Sequence, residues 1–260
     1  MLLIGLTGSI ATGKSTVSRI LASEPHSLPI IDADRLAHAV ILPGTPAYRA
    51  IVAHFSSTTP NLLYSPDEDP TPSPHGPSIN RRVLGQRVFG ATEQNQRDIK
   101  VLNGIVHPAV RRAMLREVVR AWLAGHWAAV LDVPLLFEGR LDVFCGVTLL
   151  VGTSPAVQVQ RLLARDAHLT AEDAERRIAS QMSVEKKKAL ADVVVWNDGT
   201  VEELEVEIGR FVARMRNGRG WFWTAVMATC WPVTGAVIVW WLLGNWLKRR
   251  RRDELLKKEG

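Results

Sequence analysis

Residues Gly8, Ser9, Ile10, Ala11, Thr12, Gly13, Lys14 and Ser15 spell G-x-x-x-x-G-K-S, and nothing else in the chain restricts its fold as much. The two glycines permit backbone angles that turn successive N–H groups inward. Those groups, with the N-terminus of a following helix, make a cradle for phosphates. Lys14 brings a cation to the β- and γ-phosphates, the Ser15 hydroxyl suits Mg²⁺, and Thr16 supports the α-phosphate side. Such a turn needs a buried strand before it and a helix after it. Met1–Leu6 is a short apolar run that reads as the strand, and Ser15–Ala22 places Val17, Ile20 and Leu21 on one helical face.

Further apolar runs at Pro29–Ile31, Ala128–Val133, Val147–Val151 and Ala191–Trp196 alternate with helical stretches. The alternation predicts an α/β fold: a five-stranded parallel sheet flanked by helices. Helices are expected after Asp34 as far as Pro43-Gly44, over Asn80–Phe89, and over Gln94–Trp127 with a break near His107-Pro108. Others are expected over Pro155–Arg165, from Thr170, and over Val201–Met215. Thr170 with Asp173 resembles a capping box in which Asp replaces Glu. Residues 56–78, rich in Pro, Ser and Thr, read as a surface insertion with little regular structure.

The net charge of +6 raises the question of a nucleic-acid partner. The excess is concentrated at one end, in Lys248–Arg252 and in Arg210, Arg214, Arg216 and Arg219. The rest of the chain therefore needs no nucleic acid to account for its charge. Cys145 and Cys230 fit no metal spacing and read as reduced apolar thiols. The N-terminus lacks the basic region of a signal peptide. The chain shows no Asn-Lys-x-Asp guanine motif, so an ATP-dependent kinase for a small molecule is the simplest reading.

Asp32 and Asp34 lie at the carboxyl end of the second strand, where open α/β sheets bind ligands. On an extended chain their side chains would point the same way. Asp34 is the candidate to accept a proton from an attacking hydroxyl or to hold Mg²⁺ through water, and Asp32 reads as a helix cap. Asp132 is either a metal-side carboxylate or simply the end of a buried strand. Arg161 and Arg165 share a helical face, which either closes over the γ-phosphate or faces solvent; by spacing alone the solvated face is the better reading.

The pieces in their order resemble the dephospho-coenzyme A kinase family. They are Ile4–Gly8 through Lys14-Ser15, Ile31–Asp34, Asn80–Phe89, Leu102–Pro108, and Val133–Glu138. Gln160-Arg161, Arg165-Asp166, Arg177-Ile178 with Gln181-Met182, Ala191-Asp192 and Asn197–Gly199 complete the set. They span residues 1–216. The resemblance implies that ATP phosphorylates the ribose 3′-hydroxyl of dephospho-CoA, with Asp34 as general base and with Lys14 and Arg161 on the transferring phosphoryl. It also implies a mobile helical lid over about residues 165–188, with Arg165 near the nucleotide in a less defined role. A kinase for another small hydroxyl or a nucleoside monophosphate is the rival reading. A non-catalytic scaffold is disfavoured by intact Lys14, Asp34 and Arg161.

Trp221–Leu247 is twenty-seven residues without a charge, long enough to cross a bilayer as a helix. Trp221, Trp223, Trp240, Trp241 and Trp246 resemble interfacial belts. The expected arrangement is a membrane-anchored, eukaryotic (fungal) kinase facing the cytosol, followed by a basic tail over residues 248–260. The anchor is a single span or a hairpin turning near Pro232–Gly235. The membrane would be endoplasmic reticulum, mitochondrial outer membrane or lipid droplet.

Overall fold

The computed structural model describes residues 1–65, 67–166, 168–216 and Gly244. The expected membrane segment and basic tail, and Cys230, lie outside the described residues apart from Gly244. Among the described residues no helix is long and apolar enough to cross a membrane.

The elements are β1 (Leu2–Gly8), α1 (Lys14–Ala22), β2 (Ile30–Asp32), α2 (Ala33–Ala39), α3 (Pro46–Phe55), α4 (Arg81–Val88) and α5 (Glu93–Leu123). They continue as β3 (Ala128–Asp132), β4 (Val147–Gly152), α6 (Pro155–Arg165), α7 (Ala171–Ala179), α8 (Val184–Leu190), β5 (Val193–Trp196) and α9 (Val201–Met215). The sheet has five strands in the order β2-β3-β1-β4-β5. β1 runs parallel to β3, with Leu6 opposite Asp132, and to β4, with Gly8 opposite Val151; β4 is parallel to β5. The chain lies on one side of β1 through β2 and β3 and on the other through β4 and β5. Such a reversal places a ligand site beyond the carboxyl ends of the strands.

The described residues divide into two compact units: one joins Met1–Ile31 to the described residues from Arg120 to Arg216, and the other is Asp32–Val119. In the first, alternate residues of β1 serve opposite faces of the sheet. Ile4 and Leu6 pack with Val17 and Leu21 of α1 and with Leu204, Ile208, Phe211 and Val212 of α9. On the other face Gly5 is obligatory, because a Cβ there would stand 2.7 Å from Cys145 Sγ and 2.8 Å from Leu136. The buried Cys145 thiol donates to the Leu141 carbonyl at 3.6 Å, and burial pushes its pKa up. α9 opens on a complete capping box in which Thr200 and Glu203 bond each other's backbone N–H groups. Thr170 caps α7 as expected: its hydroxyl accepts from the Asp173 N–H at 3.1 Å and donates to the Asp173 carboxylate at 2.8 Å.

The second unit packs Tyr48, Ile51 and Phe55 of α3 against Leu62, Ile79, Leu84 and Val88, with Ile99, Leu102, Ile105 and Val106 of α5 alongside. The described part of the insertion holds no helix or strand, only one antiparallel bridge between Leu63 and Ile79. Asp69 stitches it, accepting from the Ser78 N–H at 2.7 Å and the Thr71 N–H at 2.9 Å.

Two expectations are corrected. α5 runs unbroken through Pro108 and ends at Leu123, short of Trp127. Pro108 removes the N–H that would bond Gly104 O, but both residues are exposed, so water can serve the freed carbonyl. The second correction concerns Asp34. β2 ends at Asp32 and Asp34 is already helical, so the alternation of an extended chain does not set its direction.

Candidate active site

The phosphate turn is held from both sides. The Ile10 N–H donates to Gln181 Oε1 at 3.0 Å, and the Ile10 carbonyl accepts from Gln158 Nε2 at 2.8 Å. Asn197, just past β5, donates from Nδ2 to the Thr12 carbonyl at 2.9 Å, while Thr12 Oγ1 donates to the Ser9 carbonyl at 2.9 Å. Gly13 is the N-cap of α1 at φ 90, with no side chain capping the helix. Ala11 also takes a left-handed φ of 61. With the surrounding carbonyls engaged, the N–H groups of Ala11, Gly13, Lys14 and Ser15 have no protein partner among the described residues. Unpaired N–H groups at a helix N-terminus favour an anion.

Lys14, the first residue of α1, and Asp132, the last residue of β3, form an ion pair. Asp132 is 4% exposed. The open question about this residue therefore has a geometric answer: its carboxylate meets the phosphate-turn lysine. Ser15 is exposed in the first turn of α1, and its hydroxyl has no partner among the described residues. Thr16 follows it, half-buried.

Arg161, half-buried on α6, donates from Nη1 to the Asn197 carbonyl at 2.8 Å. A Cβ on Gly13 would lie 4.0 Å from that nitrogen, so the guanidinium borders the turn. Arg165, one helical turn on, is exposed and pairs with Asp166 at 3.2 Å. That hydrogen bond, with the charges of Arg165 and Arg177, holds Asp166 below the usual carboxylate range. The structure thus gathers Lys14, Ser15, Asp132 and Arg161 around the turn and gives Arg165 a carboxylate partner. Asp198 also borders the site. Hydrogen bonds from Thr153 Oγ1 at 2.5 Å and the Ser154 N–H at 2.8 Å, and the nearby Arg161 charge, hold its pKa below the usual range.

In the second unit Asp32 is the N-cap of α2, accepting from the N–H groups of Asp34 at 2.9 Å and Arg35 at 3.0 Å. That leaves Asp34 exposed in the first turn, its carboxylate without a partner among the described residues. Arg81 contacts His38, and Arg35 and Arg82 are exposed nearby in the chain, so α2 and α4 carry cations suited to an anionic ligand.

Reading by motif left Gln158, Gln181 and Asn197 without roles. Gln181 and Asn197 belong to the matching sequence pieces Arg-Ile-x-x-Gln-Met and Asn-Asp-Gly, which mark them without saying what they touch. Gln158 carried no signal beyond being a polar residue on an apolar helix face.

Residues 2–203 match the family model described as dephospho-CoA kinase. The chain is 44% identical over 216 residues to dephospho-CoA kinase CAB5 of Saccharomyces cerevisiae, covering 83% of each protein. It is 41% identical over 201 residues to a dephospho-CoA kinase of Halalkalibacterium halodurans, covering 77% of this chain and 90% of that one. Among solved structures, the dephospho-CoA kinase from Campylobacter jejuni superposes with a TM-score of 0.60 at 26% identity, over 83% of this chain and 98% of that one.

Proposed function

The chain belongs to the dephospho-CoA kinase family and phosphorylates the ribose 3′-hydroxyl of dephospho-CoA with ATP, giving coenzyme A; we propose that the phosphate turn and the residues named above carry the transfer in the following roles. The observation that carries the assignment of roles is the Lys14–Asp132 pair beside a turn whose N–H groups are unclaimed. Those N–H groups bind the triphosphate oxygens. Lys14 reaches the β- and γ-phosphates, with Asp132 orienting its ammonium. Arg161 adds positive charge where the transferring phosphoryl accumulates negative charge, and its anchor on Asn197 holds it there without reorganisation. Asp34, exposed and without a partner among the described residues, takes the proton of the attacking 3′-hydroxyl. The cations of α2 and α4 suit the pyrophosphate of the acceptor.

The residues present fit Mg²⁺. Among the described residues no cluster of three metal-binding side chains exists, which suits an ion that keeps waters and phosphate oxygens and takes few protein ligands. The Ser15 hydroxyl and the Asp132 carboxylate would hold it; when bound, the ion would supply charge neutralisation to the phosphates.

Residues 165–188 are read as a lid, supported by Gln181, which ties the segment between α7 and α8 to the turn. The uncharged segment 221–247 supports an anchor in an organelle membrane with the kinase facing the cytosol. A fungal source accords with that anchor.

The test is turnover of full-length Lys14→Ala and Asp34→Ala with dephospho-CoA and with a panel of nucleoside monophosphates. Each substitution is expected to lower kcat by about 10²-fold or more, the scale of lost charge stabilisation or proton transfer. Near wild-type turnover of Asp34→Ala would remove it as the base, and preference for a monophosphate would overturn the substrate assignment.

A further inference from the structure

We propose that Lys187 is a positioning residue for phosphoryl transfer, acting through Pro134 and Glu138 on the end of β3 that carries Asp132. Lys187 lies on α8, remote in sequence from the phosphate turn, and is fully buried at 0% exposure. Its ammonium donates to the Pro134 carbonyl at 3.2 Å and stands 3.2 Å from Glu138 Oε1. Burying a lysine to fasten a helix is a poor route to stability, since an apolar side chain of similar length packs as well without desolvating a charge. The position of the ammonium points to another purpose.

The Pro134 carbonyl is a junction. It also accepts from Thr7 Oγ1 at 2.9 Å, and Thr7 is the residue before the first glycine of the phosphate turn. Between Asp132 and Pro134, the Val133 N–H donates to the Leu6 carbonyl at 3.0 Å. The chain leaving β3 is therefore fixed at Val133 by the backbone of β1, and at Pro134 by Thr7 and Lys187 together. Glu138, 26% exposed in its side chain, closes the same segment onto the ammonium from its far end. Asp132 sits two residues before the junction, with its carboxylate on Lys14. Lys187 thus sets where the β3 end leaves the sheet, and through it the direction of the Asp132 carboxylate and the Lys14 ammonium. The inference rests on the proposed roles of Lys14 and Asp132.

The experiment is a cycle in the full-length protein with Lys187→Met, Asp132→Asn and the double variant, each checked for native circular dichroism. Lys187→Met is expected to lower kcat about 10- to 100-fold, the scale of a misplaced catalytic group, with the KM for ATP changed less than about threefold. On the Asp132→Asn background the same substitution is expected to lower kcat by less than about threefold, because its target is already gone. A merely structural lysine would lower the melting temperature, leave kcat within about threefold, and act additively with Asp132→Asn. Either unchanged kcat or additivity overturns the proposal. If Lys187→Met does not fold, Glu138→Gln, at a partly exposed position that keeps an acceptor oxygen, takes its place under the same criterion of non-additivity. Normal turnover of Asp132→Asn alone would show the failure in the reading of the site. An impaired Asp132→Asn combined additively with Lys187→Met would locate the failure in the role of Lys187.

Discussion

Gly13→Ala tests how tightly the tertiary structure closes around the phosphate turn. Gly13 holds φ 90, where an L-residue is strained by about 1–2 kcal/mol. The added Cβ would fall 2.0 Å from Asn197 Nδ2, far inside van der Waals contact. Asn197 is 7% exposed, and its amide N–H already serves the Thr12 carbonyl at 2.9 Å. Pushing it aside leaves a buried polar group unpaired, at about 1–3 kcal/mol. The two effects together predict a loss of roughly 2–5 kcal/mol in unfolding free energy if the turn keeps its shape. If the backbone yields instead, the N–H groups of Gly13 and Lys14 turn away from the phosphates, and the KM for ATP rises about tenfold or more. Urea unfolding and ATP-dependent turnover separate these outcomes. Gly209→Ala is the control: Gly209 is inside α9 with open space at its Cβ position, so it is expected to be neutral or to stabilise by up to about 1 kcal/mol. A Gly13→Ala enzyme with wild-type urea midpoint and wild-type KM for ATP would refute the reasoning, because no relaxation of the turn leaves both untouched.

Two further outcomes are expected. Asp198 is held below the ordinary carboxylate range in the folded state, chiefly by the Thr153 hydroxyl, so it stabilises the fold above the unfolded pKa of about 4 and ceases to as pH falls through its folded pKa. Asp198→Asn should therefore show a small deficit in urea midpoint at pH 7 that shrinks towards acid; a deficit that grows on acidification would reverse the assigned direction. Removing residues 221–260 should move the protein from the membrane to the soluble fraction with turnover retained, and loss of turnover in a folded truncated enzyme would give that segment a role in the kinase itself.

What local chemistry dictates was legible in the chain. The glycine-bounded turn declares itself because few residue types permit left-handed backbone and inward N–H groups, as Gly13 shows. The strands β3 and β4 are buried throughout and read as continuous apolar runs for that reason. Asp32 as a helix cap follows from its neighbours alone, and so does the cap Thr170. Pro108 was misleading because a proline in an exposed stretch of helix breaks a bond that water replaces, and exposure is not written in the local sequence.

The roles of Asp132, Asn197, Gln181 and Lys187 needed the tertiary structure. Each acts on a partner far away in the chain: Lys14 for Asp132, the Thr12 carbonyl for Asn197, the Ile10 N–H for Gln181, the Pro134 carbonyl for Lys187. The phosphate turn thus carries its own backbone geometry in its residues. What orients its lysine, grips its peptides and leaves its N–H groups unclaimed is decided by the order in which β1, β3, β4 and β5 lie side by side. Long-range hydrogen bonds depend on where separate strands end, and no local residue pattern encodes that.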